Sequence, residues 1–320
     1  MKRWILLLAL LAGAAAAQPR PADYPARPLR MISGGLPGSQ SDLVGRYIAE
    51  RLSARLGQPV VMDIRNGANG AVALEYMARQ PADGHTIFYG AAAWVVSNIA
   101  LQPSLPFDML RDFRPVTRFG VPPQCLIVRA GLPVRSAREF FALAAAQPGR
   151  LTYASFGIGS TSHLQMEFLK HMTRTDLLHV PFRGSAPAMQ EVAAGRVDAF
   201  LIDFAPSRAF LESGQARCLA ITGQNRWPEF PDVPTFAEAG YPLELIGWHA
   251  FFVQAAVPDA IVEFLHAEVS RIVQSEEGRA ALLRLGLFPV LDGPAETARI
   301  HRADLERWRE AVRISGARPE

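Results

Sequence analysis

Short apolar runs alternate along this chain with glycine- and serine-rich turns and with longer segments whose apolar residues recur at helical spacing. Leu29 to Ser33 reads as a buried strand, Gly34 to Ser41 as a loop, and Asp42 as the N-cap of a helix. Leu43, Val44, Tyr47, Ile48, Leu52 and Leu56 share one face of that helix. Gly57 ends it, and Pro59 leads into a strand at Val60 to Ile64. The rhythm continues with a loop at Asn66 to Gly70, a helix through Ala78, a strand at His85 to Gly90 and a loop or helix over Ala91 to Asn98. After a proline-rich stretch the same units return. Leu126 to Arg129, Leu151 to Phe156, Leu177 to Phe182, Val197 to Asp203 and Cys218 to Thr222 read as strands. Ala137 to Ala146 and His163 to Met172 read as helices, and Pro187 suits the first position of another. The tail changes character. A long apolar strand at Leu245 to Val253 is followed by helices near 259–274, 276–285 and 295–314 and a short strand at Phe288 to Leu291. Such a tail is placed to wrap back onto the first half.

Strands alternating with helices imply an α/β fold with mainly parallel sheets flanked by helices. The length is that of two domains. Lys2 and Arg3, the apolar run Trp4 to Leu11 and the small residues Ala12 to Ala17 have the order of a secretory signal peptide over 1–17, with Ala15 and Ala17 forming the cleavage signal. That apolar run is too short to span a bilayer. The chain holds 33 Lys plus Arg and 30 Asp plus Glu; without Lys2 and Arg3 the balance is 31 to 30. The basic residues are scattered, so nothing suggests a nucleic-acid partner. Cys125 and Cys218 fit either a disulfide of an oxidising compartment or two buried thiols, and two cysteines alone do not make a structural zinc site.

The chemistry is concentrated in the loops. Gly34 to Asp42, Arg65 to Gly70, Gly157 to His163 and Gly184 to Pro187 each follow a strand and open a helix. In such sheets ligands collect at the carboxyl ends of strands, and helix N-termini with small residues admit an anion to backbone N–H groups. Enzyme signatures are missing: no HExxH, Walker A, CxxC or GxSxG, and Gly34, Gly35 and Gly38 fail the GxGxxG spacing. Ser160 and His163 lie three apart at a helix start with no third member, an awkward geometry for a nucleophile and its base. No residue is assigned a catalytic or metal-binding role, and no cofactor is expected. Asp203 ends a strand, where it either faces a cleft or caps the following turn. Arg183 either meets a distal carboxylate or stays solvated, and Trp94 and Trp248 either form an apolar wall or pack in the core.

Six segments carry a resemblance: DGHTIFYG (83–90), LPFDMLRDFRPVT (105–117), YASFGIGSTSHL (153–164), HVPFRGSAPAMQEVAAGRVDAFLID (179–203), DVPTFAEAG (232–240) and SGARPE (315–320). From about Tyr24 to Glu320 the chain resembles the Bug family, extracytoplasmic receptors of tripartite tricarboxylate transporters. The resemblance implies a type II periplasmic-binding-protein clamp. Residues 24–122 and 249–320 form one lobe, 123–248 the other, and crossing strands form the hinge. It further implies a monomer of the periplasm that closes on a small carboxylate and docks transiently on integral membrane transporter subunits. By position, the first lobe contributes Gly35, Leu36, Pro37, Gly38, Ser39, Asp42, Asn69, Gly70, Ala92 and Trp94. The second contributes Ser155, Gly159, Ser160, Thr161, Gly184, Ser185 and Asp203. Family members commonly read like PFPPGGPTD where this chain reads GGLPGSQSD (34–42), and Trp94 stands where a small or hydroxylated residue is usual. Trp94 therefore points to an apolar or aromatic carboxylate. A ligand sensor on the same fold feeding a signalling partner, and an exported hydrolase using Ser160 and His163, are the competing functions.

Overall fold

A computed structural model describes residues 21, 23–102 and 104–318; the signal peptide expected at 1–17 lies outside the described residues. The first half runs β1 (Leu29–Ser33), α1 (Gln40–Leu56), β2 (Val60–Ile64), a 3-10 turn (Ala68–Gly70), α2 (Ala71–Ala78), β3 (Thr86–Ala91), a π-helical turn (Ala93–Ser97), α3 (Asn98–Leu101), α4 (Met109–Asp112) and β4 (Phe113–Val121). The chain then crosses into β5 (Gln124–Arg129), α5 (Ala137–Ala146), β6 (Thr152–Ser155), α6 (Thr161–Thr173), β7 (Leu178–Pro181), α7 (Ser185–Ala193), β8 (Ala199–Asp203), α8 (Phe204–Glu212) and β9 (Ala216–Ile221). It returns through β10 (His249–Gln254), α9 (Asp259–Gln274), α10 (Glu276–Arg284), β11 (Phe288–Asp292) and α11 (Pro294–Ser315).

These elements build two sheets, one per lobe. The first has the order β11-β4-β10-β3-β1-β2, the second β7-β6-β8-β5-β9. In each, three strands pair in parallel and a strand from beyond the crossing inserts antiparallel. β10 lies between β3 and β4, and β5 between β8 and β9. The sheets are therefore mixed in pairing, although β1 to β4 run one way and β6 to β9 likewise. The reason is the double crossing: a strand that enters a lobe from the other side arrives in the opposite direction.

β3 and β10 are buried along their whole length, as strands covered on both faces require. The returning segment does wrap onto the first lobe, with α9 against α1 and β4 and α11 against β4. α11 also packs on α6 of the second lobe. Cys125 and Cys218 form a disulfide between neighbouring strands β5 and β9, with Cα atoms 5.8 Å apart. Three local expectations change. β4 lies in the stretch read as proline-rich connection. The β10 strand starts at His249, so residues 245–248 cross between lobes outside the ladders. α7 begins at Ser185, which places Pro187 at its third position; the N–H it lacks has no acceptor in a first turn anyway.

Candidate functional site

The carboxyl ends of β1, β3, β6 and β8 converge between the lobes on a cleft of ≈ 220 Å³. The first lobe lines it with Ser39, Gln40 and Ser41, where α1 begins, and with Ala91 to Trp94, at and just after the end of β3. The second lobe contributes Gln124, Phe156, Thr161 and Asp203. Pro122 and the run Gly247, Trp248, His249 close the side where the chain crosses.

Two helices start on this cleft from opposite lobes. Ser39, not Asp42, is the N-cap of α1: its backbone is extended, and its hydroxyl accepts the Asp42 N–H at 3.4 Å. Asp42 occupies the third helical position, and its Oδ2 accepts the Gly38 N–H at 2.8 Å while Arg46 sits 2.7 Å from Oδ1. The carboxylate is thereby committed to closing the loop and neutralising Arg46. α6 repeats the design. Ser160 caps it by accepting the His163 N–H, and Thr161 follows as its first residue. The N–H groups of a first turn have no intrahelical acceptor, and the dipole makes both ends positive. A carboxylate between Gln40–Ser41 and Thr161 would meet donors from both lobes. Among the described residues no Lys or Arg lines the cleft.

The remaining polar groups sit together. Gln124 and Asp203 are directly opposed across the β5–β8 ladder, and the Gln124 amide favours the Asp203 carboxylate. Asp203 opens onto the cleft but is otherwise enclosed by protein, and burial pushes its pKa up to about 6 against the lowering effect of Gln124. It stands at the start of α8 without making a side-chain cap, so of its two expected roles the structure realises the cleft-facing one. Gln124 Oε1 is buried without a hydrogen-bond partner among the described residues, an acceptor available to a ligand donor. His249 is held neutral, its pKa brought down to about 3 by burial. Its Nδ1 lies 2.6 Å from the Tyr89 hydroxyl, which burial keeps protonated. With Tyr89 as donor, the imidazole proton sits on Nε2.

Of the residues expected in the site, Ser39, Ala92, Trp94, Thr161 and Asp203 line the cleft. Gly35, Leu36, Pro37, Gly38, Asn69 and Gly70, in the loops after β1 and β2, and Asp42 in the first turn of α1 lie outside its lining. Ser155 is buried behind the second lobe's loop, its Oγ 2.6 Å from His179 Nε2. Gly159 donates its N–H to His163 Nδ1, and the Ser160 hydroxyl donates to the Gly157 carbonyl, so Ser160 and His163 are each engaged with backbone rather than with each other's side-chain ends. Gly184 and Ser185 begin α7 away from the cleft, and Arg183 is exposed outside its lining. Sequence reasoning missed Gln124 and His249, whereas Gln40 and Ser41 fall inside the loop Gly34 to Asp42 expected at the site without being singled out there. Gln124 and His249 reach the cleft through chain crossings, which leave no local mark.

The chain matches the family model described as tripartite tricarboxylate transporter family receptor over residues 44–316. Protein BugT of Bordetella pertussis is 33% identical over 311 residues, covering 96% of this chain and 95% of the relative. Among solved structures, R. palustris Rpa4515 with adipate is similar with a TM-score of 0.81 and 33% identity over 93% of this chain and 100% of the other. MatC (Rpa3494) from Rhodopseudomonas palustris with bound malate gives a TM-score of 0.74 and 29% identity over 90% of this chain and 100% of the other.

Proposed function

Because the chain belongs to the tripartite tricarboxylate transporter family of receptors, we propose that it is a periplasmic solute-binding protein for a small organic carboxylate. It is a monomer, exported by a cleaved leader at 1–17, that delivers its ligand by transient docking on integral membrane transporter subunits. Its lobes are 24–122 with 249–320, and 123–248. Two solved relatives hold carboxylates, adipate in one and malate in the other. The observation that carries the proposal is the meeting of two helix N-termini from opposite lobes on one cleft without a cationic side chain. Such ends bind an anion through backbone N–H groups and dipole.

Capture needs no bond chemistry. A carboxylate gains hydrogen bonds from Gln40–Ser41 and from Thr161 together only when the lobes are closed, so ligand shifts the population to the closed form. Asp203 and Gln124 Oε1 both accept hydrogen bonds, which favours a ligand whose second polar group is a hydroxyl or an amine. The engagement of Ser160 and His163 with backbone supports binding over hydrolysis.

The test is thermal unfolding of the mature protein, stripped of bound solute by unfolding and refolding, with malate, amino acids, plain dicarboxylates and neutral amide analogues. A carboxylate at 100 times its dissociation constant adds about 2.7 kcal/mol, several degrees of melting temperature. Stabilisation by a carboxylate and none by its amide is expected. Failure of every carboxylate to raise the melting temperature would contradict the proposal.

A further inference from the structure

Trp94 is fitted into the first lobe by two glycines on different loops. A Cβ on Gly70 would stand 2.5 Å from Trp94 Cγ, and one on Gly34 would stand 3.4 Å from the indole and 2.9 Å from Gly70 Cα. Gly70 also has φ +88, a conformation that side chains rarely adopt. Phe88 and Tyr89 also meet the indole, edge-on and tilted, each with centroids 6.4 Å away. Hydrogen bonds tie the two loops into this seat. Asn66 donates to the Gly34 carbonyl at 3.0 Å, and Asn98 donates to the carbonyls of Ala68 and Asn69 at 3.1 and 3.0 Å. Trp94 itself sits in a π-helical turn, a rare geometry that redirects side chains. It is 9% exposed, and that remaining surface belongs to the cleft wall.

The indole thus covers the loops after β1 and β2 at Gly34 and Gly70, while Leu36 to Gly38 and Asn66, Ala68 and Asn69 stay exposed outside the cleft. Residues 34–38 and 66–70 are absent from the lining, and Trp94 is present in it. The space within the cleft, ≈ 220 Å³, falls below the roughly 300–1,000 Å³ usual for small-molecule sites.

We infer that Trp94 is the specificity-determining residue for ligand length. It fills the first-lobe end of the cleft, restricts the protein to short carboxylates, and its removal opens that end to longer ones. The inference rests on the cleft being the carboxylate site. Glycine at 70 is then the condition for the restriction, since a Cβ there would displace the ring, and glycine at 34 lets the Gly70 backbone approach beneath it.

Calorimetric titration of the refolded wild type, Trp94→Phe and Trp94→Ala with malonate, succinate, glutarate and adipate tests this. One methylene too many in a shaped apolar pocket changes affinity by roughly 10–200-fold. The wild type should bind a shorter member best and lose at least about tenfold for each added methylene beyond it. Trp94→Ala should move the optimum to a longer acid, with Trp94→Phe between. Should Trp94→Ala fail to fold, a shift to longer acids in Trp94→Phe still supports the inference, and an unchanged profile overturns it. A wild type indifferent to length, or variants with the wild-type profile, overturns the inference and leaves carboxylate capture standing. Absence of binding of these four acids by all three proteins overturns the inference, and carboxylate capture falls only if malate and amino acids also fail to stabilise the protein.

Discussion

Asp203 is held in an unfavourable state by the fold. Its pKa of about 6 lies above the ordinary value of 3.8 because burial penalises the carboxylate, with Gln124 offsetting part of that cost. Since the folded form binds the proton more tightly than the unfolded form, the penalty is absent below about pH 4, where both states are protonated. It grows as pH rises and is complete above pH 6. Asp203→Asn should therefore stabilise the ligand-free protein at pH 7.5 by about 1–3 kcal/mol and leave it unchanged near pH 3.5, read from melting temperatures across that range. The same substitution should weaken hydroxy- or amino-carboxylate binding, a trade of stability for function. Asp203 was legible in the sequence because a carboxylate ending an apolar strand has few places to point. Gln124 and His249 were not. Each sits at the edge of an apolar run, and only strand pairing within its lobe's sheet, Gln124 with Asp203 and His249 with Ala91, turns it toward the cleft.

Among the elements, α1 and α6 matter most, because the proposed anion site lies between their first turns. Ser160→Ala removes the cap of α6 and the 2.6 Å bond that fixes the Gly157 carbonyl. It should cost about 1 kcal/mol of stability and weaken carboxylate binding several-fold, with no hydrolytic turnover to lose. Unfolding curves, titration and an ester-hydrolysis assay on the same preparation check the three parts together. The helix periodicity was strong enough to place α5 at Ala137–Ala146 and the body of α1, and the glycine-bounded apolar runs located β1 and β2. The N-cap of α1 was misplaced by three residues because Ser39, Ser41 and Asp42 are all good caps, and only the Gly38–Asp42 bond decides among them. β4 was hidden for a different reason. Pro115 and the arginines at 114 and 118 break the apolar run, and the strand is stabilised by β10 and β11, more than a hundred residues away in sequence.

At the scale of the whole molecule, each lobe is completed by a strand from beyond the crossing, β10 in one sheet and β5 in the other. The hinge is therefore anchored in two cores, so rotation of one lobe against the other is compatible with both sheets staying intact. Contacts already bridge the cleft: a Cβ on Gly159 would meet the Leu101 side chain at 2.5 Å, and α11 lies against α6. The two-lobed α/β class was readable from the order of elements and from the resemblance. The lining was legible in part, at Ser39, Ala92, Trp94, Thr161 and Asp203, but the size of the cleft was not, since it depends on how Trp94 packs against loops that are distant in sequence. The central claim is that a carboxylate is captured by closure of these lobes, and the distance between them tests it most directly. Spin labels carried on unnatural amino acids at the exposed positions Leu36 and Ile158, one on each side of the cleft, leave the Cys125–Cys218 disulfide untouched. Pulsed electron paramagnetic resonance should show a broader, longer distance distribution in the stripped protein and a single shorter distance at saturating carboxylate. An unchanged distribution under saturation would contradict capture by closure.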